Sequence, residues 1–295
     1  MDVIIVCHVE FDENKSRERF TRDINTILKI ANRYHVKLTF AIMPEVAKYF
    51  PKDVKHEIGL HIHPDDEIIK AHCNLSRDSD ALWDYPYKEQ LEMIKFGKDY
   101  LEDVLGIEPK VFVAGKWSVN NDTIKALIKT NFTHDCSASQ RKKFSYCDWS
   151  KLPRMCPPYK PSKDDYQKRG NLPLLIIPVS QMWRGGEASP ENVPLVGIKW
   201  LKACFLEHLK GMPIFHMYLH STSIKDLRIA LAMDEILNFI SKFDVNFKFA
   251  SEIEEYSNVK PRDSKFIYIF RGINKTLMTE GILTLLKEWR RMLCL

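Results

Sequence analysis

The stretch Val3-Ile4-Ile5-Val6-Cys7-His8-Val9-Glu10-Phe11-Asp12 decides the fold of this 295-residue chain. It begins with an unbroken apolar run, which is typical of a parallel strand that is covered on both faces. Polar groups then follow at every second position. Because the side chains of a strand alternate between its faces, His8 and Glu10 project together, and Asp12 joins them if the strand stays extended. The pattern predicts a buried strand whose carboxyl end carries ionisable groups.

Short apolar runs and helical periodicities alternate through the rest of the chain. Further strands are predicted at 36–42, 57–62, 110–113, 174–179, 214–219 and 245–250, with amphipathic helices between most of them. This alternation indicates βαβ units and a mostly parallel sheet. About seven such repeats favour an α/β fold that closes into a (β/α)7–8 barrel, with an open doubly wound sheet as the alternative. In both architectures, chemistry gathers at the carboxyl ends of the strands.

Two segments depart from this rhythm. Residues from about 139 to 172 are rich in Pro, Lys, Tyr and Asp, and we interpret them as an insertion loop that forms a lid or a substrate wall. The barrel is then expected to span 1–257. Residues 258–295 are predicted to form a C-terminal extension with an amphipathic helix, whose apolar stripe is Met278, Ile282, Leu285, Trp289 and Met292. This helix either docks on the barrel or makes peripheral contact with an anionic membrane surface.

Composition excludes several classes of protein. Lys and Arg number 44 against 39 Asp and Glu, a surplus too small and too dispersed to indicate a nucleic-acid partner. The seven cysteines are scattered without a C-x-x-C pair, which favours a reduced protein without a cysteine metal site. The N-terminus lacks the basic and apolar regions of a signal peptide. We therefore expect a cytoplasmic protein, peripheral at the inner membrane face if the C-terminal helix binds lipid.

Histidines lie at the ends of two further predicted strands. In Glu57-Ile58-Gly59-Leu60-His61-Ile62-His63-Pro64, the imidazoles of His61 and His63 share one face and can bind a single metal ion. In Phe215-His216-Met217-Tyr218-Leu219-His220-Ser221-Thr222, His220 ends the strand, whereas His216 has the position of a buried structural residue. A carboxylate, two imidazoles and a separate imidazole fit a mononuclear divalent metal centre beside a general acid. Zinc is the first expectation for such ligands, with Fe, Co or Ni as alternatives, and the reaction class is hydrolysis of an amide or ester.

Five short motifs that occur in a fixed order carry a family resemblance. They are His8-Val9-Glu10-Phe11-Asp12, Glu57-Ile58-Gly59-Leu60-His61-Ile62-His63-Pro64, Val113-Ala114-Gly115-Lys116-Trp117-Ser118-Val119, Leu175-Ile176-Ile177-Pro178-Val179-Ser180 and Leu219-His220-Ser221. With these motifs, residues 2–256 resemble the polysaccharide deacetylase family (the NodB-homology group, carbohydrate esterase family 4), in the branch whose first motif is Asp-x-Glu. The resemblance implies a distorted parallel (β/α) barrel that removes acetyl groups from N-acetylated sugars with the help of a metal ion. Some relatives cleave other amides.

Carried over by motif, the resemblance implies that Glu10, His61 and His63 are metal ligands and that His220 protonates the departing amine. Two positions depart from the family pattern. His8 stands where the family has the Asp that deprotonates water, and Val113 stands where it has an Arg that orients this Asp. The two departures are mutually consistent, because an Arg without its carboxylate would be an unpaired buried charge.

Several roles for the divergent first motif stay open. His8 can act as the base, since a neutral imidazole accepts a proton near physiological pH. Asp12 can instead be the base or a fourth ligand, and His8 can be a third imidazole ligand. Alternatively, the base is lost and the pocket binds a ligand without turnover.

The leading expectation is a metal-dependent carbohydrate N-deacetylase whose substrate is an N-acetylated sugar in a cell-envelope or capsule precursor, or an oligosaccharide. Aromatic side chains in and near the insertion are candidates for stacking on sugar rings, namely Tyr146, Trp149, Tyr159 and Trp183. The alternative is a catalytically impaired barrel that binds a glycan or a protein. A different metallohydrolase is a third reading, because a His-x-His pair also marks amidohydrolase-type barrels, although it ends their first strand.

Overall fold

A parallel β-sheet organises the molecule. The structure is a computed structural model, and it describes residues 1–182, 186–256 and 258–263. The strands are β1 Asp2–Val9, β2 Thr39–Ile42, β3 Glu57–Ile62, β4 Val111–Ala114, β5 His134–Asp135, β6 Lys143–Phe144, β7 Cys147–Asp148, β8 Leu175–Ile176, β9 Ile214–His220 and β10 Asn246–Phe247. Eight of them form one sheet in which every paired strand is parallel, while β6 and β7 form a separate antiparallel hairpin.

Helices cover the outside of this sheet. They are α1 Arg17–Arg33, α2 Pro44–Ala47, α3 Glu67–His72, α4 Tyr87–Leu105, α5 Asn121–Lys129, α6 Val193–Val196, α7 Ile198–Leu209 and α8 Leu227–Ile240. In α1, the Ser16 side chain accepts the backbone N–H of Arg19 and so caps the first turn. The face of α1 that carries Phe20, Ile24 and Ile27 is buried. At the other end of a helix, Gly106 stops α4 in the left-handed conformation, with φ 71°.

Strand β1 pairs with β2, β9 and β10, and both of its faces are buried. Alternate residues such as Val3 and Ile5 join the layer beneath the helices, whereas Ile4 and Val6 pack with Val111 in a second, inner cluster. Two buried faces require an uninterrupted apolar sequence. The sheet therefore curls into a half-barrel with its own small interior, as the sequence predicts.

The half-barrel has no strand ladder between β8 and β9. The sequence predicts a strand at 174–179, but β8 is only Leu175–Ile176. On the side away from β5, Tyr159 of the insertion exchanges backbone hydrogen bonds with Ile176 at 2.9 and 3.0 Å, and Pro178 has no N–H to donate. Ser180 partly bridges the gap, since its N–H donates to His216 O at 2.9 Å and its Oγ accepts the N–H of His216 at 2.9 Å.

The insertion at 139–172 follows an irregular path that includes the β6–β7 hairpin. Trp149 and Tyr159 are almost fully buried there, so they pack the insertion and are not available for stacking on a sugar. Tyr146 is partly exposed, and Trp183 lies outside the described residues. The predicted amphipathic helix after residue 263 also lies outside them. No helix in the described part of the chain is both long and apolar enough to cross a membrane.

Candidate metal centre

Three predicted ligands converge at the carboxyl ends of β1 and β3. Glu10 follows β1, His61 lies within β3, and His63 follows it. One ligand atom from each lies within 4.8 Å of the other two. The parallel register accounts for this meeting, because parallel neighbours bring their carboxyl ends to the same rim of the barrel.

The ring of His61 is oriented to offer a free nitrogen. Its Nδ1 donates to the backbone carbonyl of Val113 at 3.0 Å, while its buried Nε2 has no hydrogen-bond partner among the described residues. Burial and the nearby ring of His63 lower the pKa of His61, which keeps the imidazole neutral. His216 has the same arrangement, with one nitrogen at a carbonyl oxygen and a buried Nε2 without a partner among the described residues. What distinguishes His61 is that it lies in one cluster with Glu10 and His63, where a metal ligand is expected to be fixed through its other nitrogen. The residues present therefore fit a divalent ion.

Glu10 is held by the loop that follows β9. The Oγ1 of Thr222 donates to Glu10 Oε1 at 3.2 Å. Ser221 Oγ contacts both the N–H and the carbonyl oxygen of Glu10 at 3.2 Å. The residues after His220 thus fix the backbone and one carboxylate oxygen of Glu10, and they leave the other oxygen for an ion.

A strained turn after β4 supports the opposite side of the cluster. Gly115 packs directly on the ring of His63, so closely that a Cβ atom at position 115 would overlap this ring. Lys116 and Trp117 follow in left-handed conformations, with φ 55° and 59°. Such conformations are costly for residues other than glycine and persist only where their surroundings enforce them. Here the turn places the ring of Trp117 with its centroid 5.5 Å from that of His8.

A line of polar side chains in contact with one another lies beside the ligand cluster. His8 and His220 are register partners on adjacent strands, and His8 Nδ1 lies 3.3 Å from His220 Nε2. The other nitrogen of His220, Nδ1, lies 3.1 Å from both carboxylate oxygens of Glu191. The result is a continuous line from carboxylate to imidazole to imidazole, and the ring of His8 lies 4.9 Å from that of His61.

The two histidines of this line carry opposite pKa shifts. Burial and the surrounding imidazoles lower the pKa of His8 well below its ordinary value. Burial also opposes protonation of His220, but the charge and hydrogen bonds of Glu191 outweigh it and raise the pKa of His220 to about 9. At pH 7, His8 is therefore a neutral proton acceptor and His220 a proton donor.

Asp12 is placed differently from the other candidate residues. Its carboxylate accepts the N–H of Asn14 at 3.2 Å and faces Arg19 at 3.4 Å and Lys225 at 3.8 Å. The three-ligand cluster does not include it. The chain has left the extended conformation by this point, so Asp12 organises the loop between β1 and α1. His216 is fully buried and its Nδ1 lies 3.2 Å from the carbonyl oxygen of Ile177, the environment of a structural histidine.

Sequence reasoning missed Glu191, Trp117 and Thr222 as site residues. Glu191 reaches His220 from the 3-10 turn Pro190–Asn192, and nothing in the sequence distinguishes it from 38 other acidic residues. The sequence could have indicated Trp117 and Thr222, because each lies within a few residues of the end of a predicted strand.

Solved structures share this architecture. A protein described as a polysaccharide deacetylase from Mycobacterium smegmatis superposes with a TM-score of 0.58 at 18% identity, over 89% of this chain and 93% of its own. The fold is that of the polysaccharide deacetylases. The deacetylase described for Pseudomonas aeruginosa PAO1 gives a TM-score of 0.53 at 14% identity, over 85% and 88% of the two chains.

The same fold also occurs in an allantoinase. The allantoinase PuuE superposes with a TM-score of 0.57 at 14% identity, over 95% of this chain and 91% of its own. No protein-family model and no curated protein matches this sequence. At these identities the similarity establishes the deacetylase barrel, and the chemistry has to be argued from the site.

Proposed function

We propose that this chain is a metal-dependent hydrolase that removes the acetyl group from an N-acetylated sugar. The observation that carries the proposal is the unpartnered, buried Nε2 of His61, which faces a cluster with Glu10 and His63 beside the His8–His220–Glu191 line. A buried polar atom without a partner is costly unless a ligand completes it. Glutamate and histidine are ligands typical of zinc, with Co, Ni or Fe as alternatives.

The chain's own residues supply the proton transfers of an amide hydrolysis. When bound, the ion would polarise the amide carbonyl and lower the pKa of water. His8 is neutral and its ring is adjacent to that of His61, and this supports its proposed role of accepting a proton from the attacking water. His220 carries a proton that it can give to the leaving amine, and Glu191 holds the ring by its Nδ1. One proton is taken up and one is delivered, as hydrolysis requires.

A second candidate function is binding without turnover, and the surroundings of His8 favour it. Its ring is enclosed by the rings of His61, Trp117, Tyr218 and His220, with centroids 4.8 to 5.5 Å away. An imidazole is also bulkier than the Asp expected there from the family resemblance. If this enclosure excludes the attacking water, the barrel is a glycan-binding module.

Metal analysis combined with acetate release tests both candidates. Purified protein would be assayed with N-acetylated mono- and oligosaccharides, and with allantoin as an amide of another kind. We expect about one metal ion per chain and acetate release that is lost in His61→Ala and His220→Ala. Only His61→Ala should also lose the ion. The matched control is His72→Ala, which removes an exposed histidine of α3.

The outcomes separate the hypotheses. Metal without release of acetate from any sugar, together with measurable sugar binding, would favour the binding module. Turnover of allantoin alone would assign a different amide. A chain without metal would contradict the ligand assignment.

A further inference from the structure

The surplus of positive charge, which the overall composition indicated to be dispersed, is in fact concentrated in the insertion. Residues 139–172 contain nine Lys and Arg against three Asp, a surplus of six, whereas the whole chain has a surplus of five. The remainder of the chain therefore carries a net charge close to neutral. A local excess of one sign next to a cleft raises the concentration of oppositely charged ligands there.

Lys142 brings this charge to the candidate site. It lies at the start of the β6–β7 hairpin, and its ammonium nitrogen is 5.6 Å from the ring centroid of Trp117, the ring that contacts His8. Its charge acts on His220, where it opposes protonation. Arg141 and Lys143 flank it in the sequence, and they form ion pairs with Asp263 and Asp148.

A buried carboxylate fixes the position of this ammonium group. Lys142 forms an ion pair with Glu187, whose side chain is 5% exposed and also accepts the hydroxyl of Ser139. The Lys142 side chain itself remains 26% exposed. Because Glu187 already fixes the ammonium of Lys142 while part of the side chain stays exposed, this cation loses little conformational entropy when it binds a ligand.

The ammonium group of Lys142 also has N–H donors that the ion pair with Glu187 does not use. An ammonium group has three N–H donors, and among the described residues the carboxylate of Glu187 is the one acceptor recorded for the ammonium of Lys142. Trp117 contributes an aromatic face and no acceptor. The open donors can therefore bind acceptor oxygens on a ligand that occupies the site.

We propose that Lys142 selects substrates in which the N-acetylated sugar bears an anionic oxygen group, a phosphate or a carboxylate. This inference rests on the proposed function, because it assigns the substrate class of the same site. The anion lies against the ammonium of Lys142 while the acetamide reaches the ligand cluster. Trp117 lies between the two and packs against the sugar ring.

The experiment compares anionic and neutral substrates. Wild type would be assayed with N-acetylglucosamine 1-phosphate, N-acetylglucosamine 6-phosphate, a disaccharide of N-acetylglucosamine and glucuronic acid, and neutral di-N-acetylchitobiose. The double variant Lys142→Met/Glu187→Gln removes the ammonium without leaving a buried charge unpaired. Lys151→Met is the matched control, because it removes an exposed lysine that is paired with Asp165 within the same insertion.

We expect kcat/KM for an anionic substrate to fall at least tenfold in the double variant, with the neutral substrate changed less than threefold. High salt should reduce the preference of the wild type. The phosphate and glucuronate arms identify which anion is preferred. Equal losses on anionic and neutral substrates would mean that Lys142 only neutralises Glu187, and would overturn the inference.

A binding measurement separates this inference from the proposed function. Calorimetry with glucosamine 6-phosphate and with neutral glucosamine would be performed on wild type and on the double variant. Tighter binding of the phosphate that depends on Lys142, without acetate release from any substrate, supports the inference and contradicts the function. Deacetylation without preference for anions supports the proposed function and contradicts the inference. Inhibition of wild type by inorganic phosphate tests the same point if the double variant does not fold, and its absence counts against the inference.

Discussion

The two halves of the candidate site are built in different ways. Glu10, His61 and His63 are placed by regular strands, so their positions follow from period-two alternation and parallel register. Trp117 and Glu191 come from irregular turns and reach the site through contacts that are distant in sequence. Regular strands thus bring the three proposed metal ligands together, whereas loops supply the residues that we propose set the proton states and the substrate preference of the site.

The largest effect is expected in the strand-built half. Glu10→Gln keeps the shape of the side chain but removes the charge that an ion requires, so metal affinity should fall at least about 100-fold, with loss of activity. Chelator competition measures the affinity. Glu13→Gln in the same loop is the matched control. An unchanged affinity in Glu10→Gln would show that this carboxylate is not a ligand.

In the loop-built half, Glu191→Gln should leave the metal in place and change the proton chemistry. Without the Glu191 charge, burial dominates and the pKa of His220 falls from about 9 toward or below its ordinary value. The protonated acid then disappears at lower pH, so the alkaline limb of the kcat profile should move to lower pH. The rate at pH 8 should fall by about 10- to 100-fold. A profile with an unmoved alkaline limb would contradict this role.

Gly115→Ala tests the contact between the two halves. The added methyl group would meet the ring of His63, so metal affinity should fall about tenfold because one ligand is displaced. Gly106→Ala is the control, since it has open space but a φ of 71° and should cost about 1 kcal/mol of stability with no effect on the metal. Equal metal affinities in the two variants would show that the contact between Gly115 and His63 does not affect metal binding.

A buried carboxylate outside both halves should affect stability alone. Asp135 on β5 is fully buried, and burial raises its pKa to about 7 although Ser137 donates to it. The folded state therefore holds a proton that the unfolded chain releases near pH 4. This stabilisation is complete below about pH 4 and is lost as pH rises through 7, by on the order of 1–4 kcal/mol.

Asp135→Asn removes this dependence. The difference in free energy of unfolding between wild type and variant should change between pH 4 and 7, as urea denaturation would measure, while acetate release at pH 7 stays within about twofold. A difference that is constant with pH would contradict the assignment.

What the sequence could predict also differs between the strand-built and the loop-built half of the site. The barrel and the convergence of Glu10, His61 and His63 were predictable because apolar runs and alternation are local signals. The placement of Asp12 was not, because an Asx turn ends the extension of β1 two residues after Glu10. Glu191 and Lys142 were also beyond reach, since tertiary contacts alone bring them to His220 and Trp117.

The pairing of β1 with β9 has a consequence for synthesis on the ribosome. β1 forms its longest ladder with residues 214–220, so its partner leaves the ribosome roughly 200 residues later, a delay of about 10–40 s at ordinary translation rates. During this interval one edge of an apolar strand is unpaired and open to other nascent chains. Expression yield should therefore depend on chaperones that bind emerging chains, more than the stability of the finished barrel would indicate.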